Sequence, residues 1–128
     1  MIIKDKNNQL YSEFEDFIKI KEVRDACNIL LGAAASIDKF ESYPEQKGVI
    51  SDFRFYTPDG EQPFAFIINK KSLLFYLRPP AIESKKYVFN GLKDQFDEVK
   101  ENPAGEWTIR IQNRDDAFNI ITQVLNKW

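Results

Sequence analysis

The chain predicts an α+β fold: a four-stranded, mostly antiparallel sheet, built from a three-strand meander and one later strand, with helices packed mainly on one face. The expected order is α(α)-β-β-β-α-β-α. Three observations carry this. Apolar residues recur at helical spacing before Phe40 and again after Asn113, they alternate with period two through Phe53–Leu77, and a second alternating run follows at Glu106–Ile111. No internal repeat and no Gly-, Ser- or Pro-rich linker interrupts the sequence, so residues 1–128 are read as a single domain. A composition of 43% hydrophobic and 30% charged residues lies in the globular range, and 11 phenylalanines supply bulky core material.

The first helical region runs from about Ser12 to Phe40. Ser12 with Glu15 forms a capping-box pattern, and Phe14, Phe17 and Ile18 lead into Val23, Ala26, Cys27, Leu30, Leu31, Ala34 and Ile37 with a change of phase near Lys19–Glu22. One bent helix or two satisfy that spacing. Gly32 and Ala33–Ala35 carry little side-chain bulk and predict a close approach by another element.

From Gly48 the period becomes two, and Val49–Tyr56 forms the first strand. Thr57-Pro58-Asp59-Gly60 supplies a turn, Phe64–Asn69 returns, Lys70-Lys71 turns again, and Ser72–Arg78 follows until Pro79-Pro80 ends the ladder. Val88, Leu92, Phe96 and Val99 then share a helical face, which predicts a helix over Leu92–Glu101. Asn102-Pro103-Ala104-Gly105 breaks it before the strand at Glu106–Ile111. A final helix is capped by Asn113, carries Asp115 and Asp116 at its positive end, and presents Ala117, Ile120, Ile121, Val124, Leu125 and Trp128 as one stripe.

The inventory of reactive side chains is short. The chain has no histidine and one cysteine, which removes the residue types behind most proton shuttling near neutral pH and most zinc sites. Cys27, flanked by apolar residues at a helical position, reads as a small buried apolar side chain, since a thiol nucleophile would need an activating base beside it. There is no phosphate-cradling glycine loop and no zinc spacing. The residues point away from an enzyme, and no catalytic residue, metal or cofactor is assigned. The N-terminus lacks a long apolar core after its charges and no apolar run is long enough to span a bilayer, so a cytoplasmic location without a membrane partner is expected.

Alternation sorts the strand residues into two faces. Phe53, Phe55, Phe64, Phe66, Ile68, Leu73, Phe75, Leu77, Trp107, Ile109 and Ile111 share the parity that should meet the helices. The other parity holds Asp52, Arg54, Tyr56, Ala65, Ile67, Asn69, Leu74, Tyr76, Arg78, Thr108 and Arg110. Arginine forks suit phosphate and tyrosine rings offer stacking area, so Arg54, Tyr56, Tyr76, Arg78 and Arg110 are the candidate binding residues for a nucleic acid. Ordinary cross-strand pairing, or support of the first helix, would place the same residues there. Only residues 46–82 carry a net positive charge, and a pI near 5.2 argues against a protein that grips duplex DNA through many phosphates.

Pro58-Asp59 followed by Glu83-Ser84-Lys85 spells the Pro-Asp…(Asp/Glu)-x-Lys pattern of restriction-type nucleases, whose carboxylates hold a divalent ion. Asp59 sits in a turn and Glu83 follows two prolines, whereas that chemistry needs adjacent strand positions in one cleft. The run Phe64–Arg78, then Gly105–Ile111, then Arg114-Asp115-Asp116-Ala117 opening a terminal helix resembles a small uncharacterised bacterial α+β module that occurs alone or attached to restriction-type and other predicted nucleases. The resemblance covers the C-terminal half. It implies an accessory or nucleic-acid-associated domain, with no catalytic residue to carry across. A self-associating or protein-partner module is the competing reading, motivated by Gly32–Ala35 and by the aromatic stripe that reaches Trp128, and it would make the chain a homo-oligomer.

Overall fold

The computed structural model describes residues 8–47 and 50–128. Two helices open this part of the chain, α1 (Asn8–Phe17) and α2 (Lys21–Ser36), and they divide at Ile18–Ile20, where the apolar phase changes. Ser12 lies within α1 and not at its cap, because residues 8–11 contain no helix breaker and extend the helix upstream. The side chain of Ser12, the N-terminal charged run and the expected strand start at residues 48 and 49 lie outside what is described.

Among the described residues six strands follow, not four. They are β1 (Glu41–Lys47), β2 (Ile50–Tyr56), β3 (Phe64–Ile68), β4 (Leu73–Leu77), β5 (Val99–Glu101) and β6 (Trp107–Ile111). All pair antiparallel in one open sheet of order β1-β2-β3-β4-β6-β5. The expected meander is β2-β3-β4, and the later strand β6 adds beside β4. Two turns form where the sequence places them: Gly60 takes a φ of +88° and donates to the Thr57 carbonyl, and Asn69 donates to the Ser72 carbonyl across Lys70-Lys71.

Leu92–Glu101 is not one helix. After β4, Pro79 starts the short α3 (Pro79–Glu83), α4 spans Phe89–Gln95, and the backbone is extended by Phe96. The spacing of Leu92, Phe96 and Val99 satisfies a helix, but Val99 instead pairs with Ile109 and enters the core from strand β5. The last helix, α5 (Arg114–Gln123), is capped as expected: Asn113 Oδ1 accepts from the Asp116 amide at 2.9 Å, and Asp116 Oδ2 accepts from the Gln112 amide. A 3₁₀ turn at Leu125–Lys127 carries Trp128 onto Phe40 and Phe64.

The phenylalanine parity is buried as the alternation predicts. Phe53, Phe55, Phe64, Phe66, Phe75, Leu77 and Ile109 form one cluster with Ala26, Cys27, Leu30 and Ala34 of α2 and Ala117, Ile120 and Val124 of α5. Of the Gly32–Ala35 stretch expected to meet another element closely, Ala34 alone is buried in the core. A Cβ on Gly32 would meet nothing, and Gly32 and Ala35 are exposed. Leu30 and Ala34 turn toward the core at helical spacing.

Candidate functional site

The opposite face of the sheet carries three rows of side chains. Across the centre, Tyr43, Arg54, Ala65, Tyr76, Thr108 and Lys100 stand directly opposite one another on all six strands. Glu45, Asp52, Ile67, Leu74 and Arg110 form the next row. Glu41 and Tyr56 begin the third, which Arg78 and Glu106 complete at the ends of β4 and β6. The five residues singled out from the sequence therefore share this face, because residues two apart on a strand and residues paired directly across strands point to the same side.

Two depressions open on it. One, of about 350 Å³, is lined by Ala65 and Ile67 and walled by Asp52, Arg54, Tyr76, Arg78 and Glu106. The other, of about 240 Å³, has Thr108 and Leu74 between Tyr76, Glu98, Lys100, Asn102 and Arg110. Tyr76 borders both. Their floors are the short side chains Ala65 and Thr108, and their linings include no residue of α1, α2, α4 or α5.

Every candidate arginine has a carboxylate partner. Arg54 donates through Nε and Nη2 to Asp52 at 3.0–3.2 Å and lies 3.3 Å from Glu45. Arg78 Nε donates to Glu106 Oε2 at 3.0 Å, and Arg110 Nε donates to Glu98 Oε2 at 2.6 Å while its Nη1 donates to Ser72 Oγ. In each case the carboxylate holds the Nε side. That arrangement orients each guanidinium; Glu45 and Gln62 share Arg54 Nη1 and Ser72 holds Arg110 Nη1, whereas Nη2 of Arg78 and of Arg110 has no partner among the described residues. Gln62, from the β2–β3 connection, accepts from Nη1 of both Arg54 (3.4 Å) and Arg78 (3.0 Å) through one oxygen.

The tyrosines are held as firmly. Tyr43 and Tyr56 stack with centroids 4.9 Å apart, and the Tyr56 hydroxyl donates to Glu45. Burial, followed by its hydrogen bond with Tyr43, raises the Tyr56 phenol above its ordinary value. Burial and then the charge of Glu106 do the same to Tyr76. Both are neutral donors at physiological pH, and the Arg54 guanidinium is held cationic first by its hydrogen bond to Asp52.

The partner residues escaped the sequence reading unevenly. Asp52 was readable, since two positions along a strand place it beside Arg54. Glu106 was readable as well, two positions before Thr108 in the strand expected at Glu106–Ile111, whereas Glu45 sits on a strand not recognised and Gln62 and Glu98 reach the face from connections whose register no local pattern gives. Cys27 is buried, and burial pushes its thiol up to about 12, which suits packing and not nucleophilic chemistry.

The nuclease spelling does not assemble on the face. Asp59 accepts from the Thr57 hydroxyl inside its turn, Glu83 ends α3, and Lys85 follows with a φ of +63°, all outside the strand ladders. Among the described residues, no group of three or more His, Cys, Asp or Glu is placed to hold a metal ion, and no helix is long and apolar enough to cross a membrane. No protein-family model, no curated protein and no solved structure matches the chain.

Proposed function

We propose that the chain is a non-catalytic accessory domain that binds an unpaired nucleic-acid strand across the open face of its sheet. The observation that carries this reading is Tyr76, which borders both depressions, with Arg54 and Arg78 lining one and Arg110 the other. Unpaired bases stack on aromatic rings whatever their sequence, and the Nη ends of Arg54, Arg78 and Arg110 can reach phosphates that flank them. The carboxylates that orient these arginines also cancel most of their field, so the face suits a few phosphates and a short strand, not a long duplex. The resemblance of the C-terminal half to modules attached to predicted nucleases supports the accessory role.

Fluorescence anisotropy with a labelled single-stranded oligonucleotide tests the reading. Binding should be tighter for the single strand than for the duplex, with a log–log salt slope of about −2, the value for roughly three neutralised phosphates. Tyr76→Ala should cost about 1–3 kcal/mol, as for the loss of one stacked base. Absence of binding at low salt by the intact chain, or binding indifferent to both Tyr76→Ala and Arg110→Ala, overturns it.

A further inference from the structure

The Arg54 and Arg78 guanidiniums converge on one neutral atom. Gln62 Oε1 accepts from Nη1 of each, at 3.4 and 3.0 Å, while Asp52 and Glu106 occupy the Nε sides and Glu45 Oε2 lies 3.3 Å from the same Arg54 Nη1. Asp52, Glu45 and Glu106 balance the charge of the pair, but the one acceptor the two guanidiniums share is an amide oxygen with only part of a charge. We infer that Arg54, Gln62 and Arg78 form an oxyanion subsite, in which a phosphate or carboxylate group of the ligand takes the place of the Gln62 side-chain oxygen.

Three features support the exchange. An ionised oxygen would add the attraction of a full negative charge to bonds that are charge-assisted from the arginine side alone when Gln62 accepts them. Gln62 comes from the β2–β3 connection and belongs to no strand ladder, so its side chain can leave without breaking a backbone bond. Arg78 Nη2 has no partner among the described residues and is free to complete a fork with the incoming group. Ala65 keeps the space beneath open, and Tyr76 forms the wall against which a ring attached to the anion would lie. The second depression lacks this device, because Arg110 stands there without a second guanidinium and spends Nη1 on Ser72.

The subsite rests on the nucleic-acid reading for its place along a strand, but its chemistry is tested separately. Titrations of the ¹⁵N-labelled chain with dimethyl phosphate, acetate and neutral trimethyl phosphate would follow the Gln62 side-chain amide and the Arg54 and Arg78 Nε–H signals. At least one anion should give saturable shifts at these three residues, and trimethyl phosphate none. Acetate seating alone identifies a carboxylate ligand, and dimethyl phosphate seating alone a phosphodiester. Arg78→Lys should weaken the anion about tenfold by removing the fork. Gln62→Ala should tighten it severalfold, an outcome that a merely structural glutamine would not produce. The subsite is overturned if neither anion saturates, if trimethyl phosphate shifts the same signals, or if the folded Gln62→Ala chain binds no more tightly. Oligonucleotide binding that survives Arg78→Lys unchanged, with no seating of either anion, removes the subsite and leaves the wider reading standing. Seated anions without oligonucleotide binding do the reverse.

Discussion

Ser42 is fully buried, opposite Phe55 across β1 and β2, and its hydroxyl has no hydrogen-bond partner among the described residues. A buried hydroxyl without a partner costs free energy that an apolar atom of similar size does not, so Ser42→Ala should raise stability by about 1 kcal/mol in urea unfolding. A lower midpoint would show that the hydroxyl is satisfied after all. Tyr87 is the contrast. Its ring packs edge-on against Phe64 and its hydroxyl donates to the Val124 carbonyl at 2.6 Å, so the polar atom ties α5 to the segment before α4. Single buried oxygens of the two kinds have opposite consequences because one has a partner and the other does not.

At the scale of elements, position in the sheet sets stability. β3 and β4 have a strand on both sides, whereas β1 and β5 each have one. In hydrogen exchange, the amides of Phe66 and Phe75 should be the slowest and those of β1 and β5 the fastest within the sheet, since edge strands open without disturbing the phenylalanine layer. Exchange of the β5 amides at loop rates would place Val99–Glu101 outside the ladder. The same distinction explains what the sequence makes legible. β2, β3, β4 and β6 are read from alternation because one face of each is packed with Phe, Leu, Ile or Trp. β1 turns Ser42 and Pro44 inward, residues that signal turns, and an edge tolerates the proline that a central strand would not. β5 is three residues long, too short to show a period, and Val99 falls by coincidence at helical spacing from Leu92 and Phe96. The candidate face was legible as five residues, since parity alone places them. Its Glu45, Glu98 and Gln62 partners depend on register and on connections, which are set by tertiary packing.

Across the whole molecule, the absence of histidine makes stability nearly independent of pH through the neutral range, because no side chain has its ordinary titration between those of carboxylates and thiols. Alkaline conditions are different. Burial pushes the Cys27 thiol from its ordinary value near 9 up to about 12, and raises the Tyr87 and Tyr56 phenols as well. The folded chain therefore keeps protons that the unfolded chain has released. Where the unfolded state binds fewer protons, stability falls as pH rises, so this contribution is complete below about pH 9 and is lost progressively above it. Urea midpoints should be level from about pH 6.5 to about pH 8.5 and fall steadily toward about pH 11. Cys27→Ala should delay the onset, since the thiol titrates first in the unfolded chain, and Tyr87→Phe should flatten the later part of the decline while lowering the neutral midpoint through its lost bond to Val124. An alkaline slope unchanged in both variants would assign the loss to other groups and would mean that the sealed phenylalanine layer does not hold these protons.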